Sequence, residues 1–230
     1  MNYGSNIPVI VIPYRNRLHH LKCTLTRFEG FPVVVVEQRD DHRFNRGALL
    51  NIGFNEAIRQ NANRVILHDC DLVPDDTLLA MYKEDWPRPI VHFGARFRRY
   101  SDRRTYFGGV HGFYVNAYPG YPNGFWGWGG EDDALRKRVD LRRTTYARKG
   151  EYLDLEGFPT ARNKLDHLPR DQRCSNKYEL LNSDDASDDN HVDGLPSFTM
   201  TRKADEGGNV AWLFITFSRH EEVCPPAHRS

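Results

Sequence analysis

The chain has 230 residues, enough for one large domain or two small ones with a full hydrophobic core. Its 32 lysine and arginine residues nearly balance 31 aspartate and glutamate residues, so the net charge of +1 gives no indication of nucleic acid or a membrane surface as a partner. The first fifteen residues contain no long apolar run, and we expect no signal peptide or membrane anchor in this chain.

The four cysteines have no C-x-x-C spacing, which argues against a zinc knuckle. Reduced thiols fit this pattern, and a bridge between Cys174 and Cys224 is also open. The cysteines therefore do not decide the redox compartment.

The first predicted unit is a β-α-β unit. A β-branched apolar run at residues 7–14 predicts a strand buried on both faces, and Arg15 and Arg17 follow it directly. Apolar residues at helical spacing predict a helix over residues 18–28, and residues 33–36 predict a second buried strand. Ligands of open α/β sheets bind at the carboxyl ends of the strands. The two arginines are therefore placed for a diphosphate contact, and the alternative is a pair of solvated surface arginines.

The next unit brings an acidic pair to the end of a third strand. Asn45 is a plausible N-cap for a helix whose apolar period runs to Ile58, and residues 64–67 predict a buried strand. Asp69 and Asp71 follow this strand one residue apart and are expected to point the same way. Such a pair suits a hard divalent cation that bridges substrate phosphates, and the alternative is a cap on the following turn.

The remaining predicted elements are less regular. Residues 90–93 predict a short strand, and the alternation of aromatic residues and glycine over residues 105–114 predicts a strand with bulges that lines a pocket. The polar segment after Lys149 contains an acidic run, residues 184–189, that is expected to be solvated and flexible. Residues 210–217 predict a last strand that packs against the sheet.

The most unusual stretch is residues 123–133, which combines glycines, aromatic residues and three consecutive acids. Trp126 and Trp128 between glycines are expected to form a surface on which a sugar ring stacks. The acids beside them, which lead into a helix that continues to Val139, are suited to general-base chemistry on a hydroxyl. The alternative is a solvated turn before a helix N-terminus.

Taken together, these motifs resemble those of the β-1,4-galactosyltransferases, the group that takes UDP-galactose and has the GT-A fold. The resemblance runs from about Pro8 to Phe198. It rests on residues 13–17, 44–46, 69–71, 107–110, 125–133 and 193–195. The detail around residues 43–46 and 68–72 is more similar to the xylosylprotein branch than to the N-acetylglucosamine branch. The resemblance implies an α/β fold with a Rossmann-like, nucleotide-sugar-binding mixed sheet flanked by helices, and residues 1–230 as a single glycosyltransferase catalytic domain.

The resemblance also implies roles for particular residues. The donor is expected to contact Pro13, Tyr14, Arg15, Arg17, Phe44, Arg46, Asp69, Tyr106, Gly109 and Trp128. The acceptor is expected to contact Trp128, Gly130, Glu131, Asp132 and Asp133, with Asp132 as the catalytic base. Asp71 and His167 are implied as ligands of Mn²⁺. The family places a further Met or His just before that histidine, whereas this chain has Lys164, Leu165 and Asp166 there, so that Asp166 or water would have to replace it.

The implied reaction is a metal-dependent, inverting transfer of galactose from UDP-galactose to the 4-hydroxyl of an acceptor sugar of the xylose or N-acetylglucosamine type. A sugar-nucleotide hydrolase and a lectin-like carbohydrate-binding module are the alternatives. The resemblance implies the Golgi lumen for a trimmed eukaryotic catalytic domain and the cytoplasm for a bacterial or viral relative.

Overall fold

The computed structural model describes residues 7–100, 106–183, 195–204 and 209–218. Within these ranges, the strands are β1 (Val9–Tyr14), β2 (Val33–Gln38), β3 (Arg64–His68), β4 (Leu72–Pro74), β5 (Ile90–His92), β6 (Val110–Tyr114), β7 (Thr144–Tyr146), β8 (Tyr152–Asp154), β9 (Phe198–Ala204) and β10 (Val210–Phe217). The α-helices are α1 (Leu18–Leu25), α2 (Arg46–Arg59), α3 (Asp76–Lys83), α4 (Glu131–Arg138), α5 (Ala161–His167) and α6 (Lys177–Ser183).

Eight of these strands form one mixed sheet in the order β7-β5-β6-β3-β1-β2-β10-β9, and β4 pairs with β8 in a small second sheet. The centre of the large sheet is parallel, since β1 pairs in parallel with β2 and β3, and β10 pairs in parallel with β2. Strand β6 runs antiparallel to β3. The predicted α/β mixed sheet and the predicted β-α-β unit are confirmed, and β1 and β3 end at the same edge of the sheet.

The sheet separates two hydrophobic layers, which explains the uninterrupted apolar character of β1. Val9 and Val11 face the layer that contains α2, whereas Ile10 and Ile12 face the layer that contains Leu21 of α1. All six residues of β1 are buried. The predicted strands at residues 64–67 and 210–217 are confirmed as β3 and β10.

Some predicted boundaries are wrong. The helix after β1 ends at Leu25 rather than Phe28, and Phe28 packs beyond it in the core. The strand predicted over residues 105–114 begins only at Val110, because Gly109 adopts a positive φ of 80° that interrupts the extended backbone. Tyr106, Phe107 and Gly109 instead line the cleft described below.

The polar segment after Lys149 is more structured than predicted, because its described part contains β8, α5 and α6. The acidic run at residues 184–189, Asp193 and Gly194 of the last family motif, and Cys224 lie outside the described residues. No helix in the described part of the chain has the length and apolarity needed to cross a membrane.

Candidate active site

A cleft of about 890 Å³ opens at the edge of the sheet where β1 and β3 end. It brings together most of the residues predicted for the site: Pro13, Arg15, Arg17, Phe44, Arg46, Asp69, Asp71, Tyr106, Gly109, Trp128, Gly130, Glu131, Asp132 and Asp133. Two predicted residues are not in its lining. Tyr14 is buried at the end of β1, where its ring packs edge-on against Trp212, and His167 lies outside the cleft.

The first turn of α2 is fixed to the glycine-rich segment by Asn45. The Asn45 Oδ1 accepts a hydrogen bond from the Ala48 backbone N–H at 2.9 Å, which confirms the predicted N-cap. The Asn45 Nδ2 donates to the Asn123 carbonyl oxygen at 2.7 Å. This capping residue therefore holds the start of α2, where Arg46 lies, next to the segment that leads into α4.

Arg46 connects the two acidic motifs. Its Nε donates to Asp69 Oδ1 at 2.7 Å, and its Nη1 donates to Asp132 Oδ1 at 2.9 Å. The same Nη1 lies 3.2 Å from the Tyr121 hydroxyl. Because a guanidinium presents several donors in a fixed plane, these contacts set the relative positions of both carboxylates.

Asp132 has the geometry expected of a proton acceptor. Its Oδ1 accepts hydrogen bonds from Arg46 and from the Tyr121 hydroxyl at 3.0 Å, whereas its Oδ2 lies beside Gly108, and Asp132 lines the cleft. A Cβ atom on Gly108 would lie 2.6 Å from this Oδ2, so glycine leaves the space in front of the carboxylate. Burial raises the pKa of Asp132, while Arg46 and the Tyr121 hydrogen bond lower it.

Glu131 is the more deeply buried of the neighbouring acids. Its Oε2 has no hydrogen-bond partner among the described residues. Burial, together with the charge of Asp132, raises the pKa of Glu131 to about 7 despite the nearby Arg46. Its neighbour Asp133 is exposed at the mouth of the cleft. Gly130 begins this helix with a φ of 101°, a conformation that glycine adopts without strain.

The two tryptophans have different surroundings. Trp128 lies in the cleft, and its backbone N–H donates to the Gln172 carbonyl at 2.8 Å, which ties it to the segment after α5. Trp126 packs edge-on against Phe217, with 5.3 Å between ring centroids, and against His42. The prediction that both indoles form the sugar platform is therefore wrong for Trp126, which supports the core.

The basic wall of the cleft follows β1. The Arg15 guanidinium lies 5.4 Å from the centre of the Phe44 ring and donates to the His42 carbonyl. Arg17 Nη1 donates to Asp71 Oδ2 at 3.0 Å and to Glu156 Oε1 at 2.7 Å. Both arginines thus lie at the carboxyl end of β1, as predicted.

Both residues of the acidic pair lie in the cleft. Asp69 is bonded to Arg46 and Asp71 to Arg17, so the two carboxylates have different cationic partners. Burial, with the charges of Asp69 and Glu156, raises the pKa of Asp71 to about 6. Both residues line the same cleft, and the expectation that their side chains point the same way stays a prediction.

The residues present do not fit the manganese site implied by the resemblance. His167 is exposed, its Nδ1 lies 2.8 Å from the Asn163 carbonyl oxygen, and its ring packs against Phe158. Asp166 is exposed as well. Among the described residues, no group of three or more histidine, cysteine, aspartate or glutamate side chains is arranged to hold a metal ion. Asp71 lines the cleft and His167 does not, and the residues of α5 in the lining are Lys164 and Leu165.

Sequence reasoning missed Glu156 entirely. It is a single glutamate in a polar segment, and no spacing or motif distinguishes it. In the structure its side chain is only 6 % exposed and accepts hydrogen bonds from Arg17 and Arg99 while pairing with Lys164.

Two family models match the chain. The model described as the N-terminal region of glycosyl transferase group 7 matches residues 5–83, and the model described as the N-terminal domain of galactosyltransferase matches residues 88–161. Together the two models cover more than half of the chain and assign it to the group 7 glycosyl transferases.

Relatives and solved structures agree with this assignment. Human β-1,4-galactosyltransferase 4 is 38 % identical over 155 residues, which are 60 % of this chain and 44 % of the relative. Mouse β-1,4-galactosyltransferase 6 is 33 % identical over 214 residues, which are 84 % of this chain and 52 % of the relative. The chain therefore belongs to the β-1,4-galactosyltransferase family, and it spans about half the length of the relatives that it matches.

The catalytic domain of Drosophila β1,4-galactosyltransferase 7, solved in complex with xylobiose, has the same fold. Its TM-score is 0.72 at 21 % sequence identity, and the match covers 96 % of this chain and 98 % of that chain. A mutant of the same enzyme, solved in complex with manganese, UDP-Gal and xylobiose, matches with a TM-score of 0.71 at 20 % identity and covers 94 % of this chain and 96 % of that chain. The GT-A fold implied by the resemblance is confirmed.

Proposed function

We propose that this chain transfers galactose from UDP-galactose to the 4-hydroxyl of an acceptor sugar, with inversion at the anomeric carbon. The observation that carries the proposal is the position of Asp132. Its Oδ2 lies beside Gly108, and the cleft that Asp132 lines also contains Trp128 and the basic wall of Arg15 and Arg17. A proton acceptor, a ring-stacking surface and cations for a diphosphate are the three features that such a transfer needs.

The proposed reaction is a single displacement. Asp132 Oδ2 takes the proton of the acceptor hydroxyl while that oxygen forms a bond to the anomeric carbon of galactose. The bond from this carbon to the β-phosphate oxygen breaks, and its electron pair leaves with UDP. No general acid is required, because the leaving diphosphate is a stable anion once cations offset its charge.

Contacts on Asp132 suit this role. Arg46 and Tyr121 hold Oδ1, so the orientation of Oδ2 is fixed before the acceptor binds. Burial raises the pKa of Asp132, which makes the carboxylate a stronger base than an exposed aspartate. Asp133 and Glu131 flank it as the proposed acceptor-binding residues, together with Gly130 and Trp128.

The acceptor is proposed to be a xylose-type sugar first and an N-acetylglucosamine-type sugar second. Similarity to the Drosophila enzyme solved with xylobiose supports the first choice at the level of fold. The N-acetylglucosamine-type acceptor is kept as the second choice because the motifs common to the family do not distinguish the two acceptors. A mutant of the same Drosophila protein was solved with manganese, whereas in this chain Asp71 lines the cleft and His167 does not.

Measuring UDP release from UDP-galactose tests the proposal. The rate of UDP release should be low without an acceptor and should rise at least about tenfold when a β-xyloside or a β-N-acetylglucosaminide is added. Release that is equally fast without an acceptor would identify a hydrolase instead. If the chain binds UDP-galactose but releases no UDP, either in chelator or with Mn²⁺, it would be identified as a carbohydrate-binding module.

A further inference from the structure

Three cationic side chains converge on Glu156. Lys164 Nζ lies 2.7 Å from its Oε2, Arg99 Nη1 donates to the same oxygen at 2.5 Å, and Arg17 Nη1 donates to its Oε1 at 2.7 Å. The Glu156 and Lys164 side chains are only 6 % and 12 % exposed. Although burial alone would raise the pKa of Glu156, Lys164 and the two arginines lower it to about 2. Glu156 is therefore a fixed anion that holds cations.

All three of these cations line the cleft. Arg99 has a second carboxylate partner, Asp154, which it holds through a two-nitrogen contact. Arg17 and Lys164 line the cleft beside Asp71. Arg15 adds a third positive charge to the same wall.

Lys164 lies in the cleft with the acidic pair and close to the Trp128 ring. Its Nζ lies 5.6 Å from the centre of the Trp128 ring. Asp69 and Asp71 line the same cleft. The acidic pair therefore shares its cleft with an ammonium group, whose charge opposes the binding of a divalent cation there.

The disagreement between these residues and a manganese site has a chemical explanation. We propose that Lys164, positioned by Glu156 and assisted by Arg17, supplies the positive charge at the diphosphate, and that UDP binding and galactose transfer do not require a divalent cation. This inference rests on the proposed function. When the bond to the anomeric carbon breaks, the electron pair stays on the β-phosphate oxygen, and the Lys164 ammonium offsets the new charge without giving up its proton.

The test measures UDP binding by titration calorimetry in EDTA and again in Mn²⁺. We compare the wild-type chain with Lys164→Met, with Lys164→Arg, and with Arg162→Met, which removes an exposed cation from the same helix α5. The wild type should bind UDP in EDTA, and Mn²⁺ should change its Kd by less than about threefold. In EDTA, the affinity of Lys164→Met for UDP should be at least about tenfold lower than that of the wild type. The affinities of Lys164→Arg and Arg162→Met should stay within about threefold of the wild type. Thermal melting checks that each variant is folded.

Two results would overturn the inference. One is wild-type UDP binding that tightens more than about tenfold with Mn²⁺. The other is a folded Lys164→Met that binds UDP in EDTA as the wild type does. Transfer assays in the same two buffers separate this inference from the proposed function. Manganese-dependent transfer would retain the function and refute the role of Lys164. If UDP binds in EDTA but no galactose is transferred in either buffer, the proposed function would be refuted and the role of Lys164 at the diphosphate would be retained.

Discussion

Arg46 Nη1 lies 2.9 Å from Asp132 Oδ1, and Arg46 Nε lies 2.7 Å from Asp69 Oδ1. One buried guanidinium thus joins the carboxylate that follows β3 to the proposed base in the first turn of α4. Burial raises the pKa of Asp132 and Arg46 is the main influence that lowers it. Arg46 should therefore set the pH at which the base becomes available.

Replacing Arg46 tests this relationship. In Arg46→Gln the Asp132 carboxylate loses a cationic neighbour, so its pKa rises and the base stays protonated up to a higher pH. The acid limb of the pH profile of kcat/KM should move to higher pH by about one unit. Arg59→Gln, at the exposed far end of the same helix α2, is the matched control and should leave the limb in place. A folded Arg46→Gln with an unshifted limb would mean that another group controls the profile.

Glu131 should make the fold less stable at alkaline pH. Its pKa in the folded chain is about 7, above the ordinary value of 4.5, so the folded state keeps a proton that the unfolded state releases between these values. Stability therefore falls as the pH rises through this window, and the full cost is present above pH 7.

Glu131→Gln removes that cost. Its free energy of unfolding should exceed that of the wild type by about 1–3 kcal/mol at pH 8 and by much less at pH 5. Chemical denaturation at the two pH values measures this difference, with Glu29→Gln on the exposed surface as the control. An equal effect of Glu131→Gln at both pH values would show that the buried charge is not the cause.

Much of the sheet could be predicted from the sequence because its central strands are apolar throughout. Strand β1 is buried on both faces, so its run of β-branched residues carries an unambiguous signal. The Asn45 cap was predictable for a similar reason, since the side chain bonds within its own first turn. Short edge strands such as β7 have three residues and no comparable pattern.

The site was predictable where a motif is contiguous and less so where distant segments meet. Residues 125–133 and 69–71 were recognised as they stand, and the cleft brings them together. Glu156 binds Arg17 across 139 positions in the chain, and no local spacing encodes such a contact. Trp126 and Trp128 look equivalent in sequence, but only the structure shows that Trp126 packs on Phe217.

Tyr106 is proposed to determine the choice of donor. Its ring stacks on Tyr100 with 4.2 Å between centroids, and a Cβ atom on Gly109 would lie 3.2 Å from its hydroxyl oxygen. A ring held in this way beside the donor sugar leaves room for a 2-hydroxyl and crowds an N-acetyl group.

Tyr106→Leu should therefore narrow the preference for UDP-galactose over UDP-N-acetylgalactosamine by about tenfold or more. The ratio of kcat/KM for the two donors measures it. Tyr146→Leu, which changes an exposed tyrosine on β7 outside the cleft, should leave the ratio as it is. If both donors slow equally in Tyr106→Leu, the tyrosine is a structural residue and does not select the donor.

Asp132→Asn tests the central claim most directly, because it keeps the size of the side chain and removes its basicity. UDP affinity and galactose transfer to a sugar acceptor are measured on the same preparation, with Asp133→Asn at the exposed neighbouring position for comparison. We predict that Asp132→Asn binds UDP with near-normal affinity while its rate of transfer falls by about two orders of magnitude or more. The rate of transfer by Asp133→Asn should fall by less. Transfer near the wild-type rate in Asp132→Asn, or an equal loss of UDP binding and transfer, would contradict the assignment of Asp132 as the base.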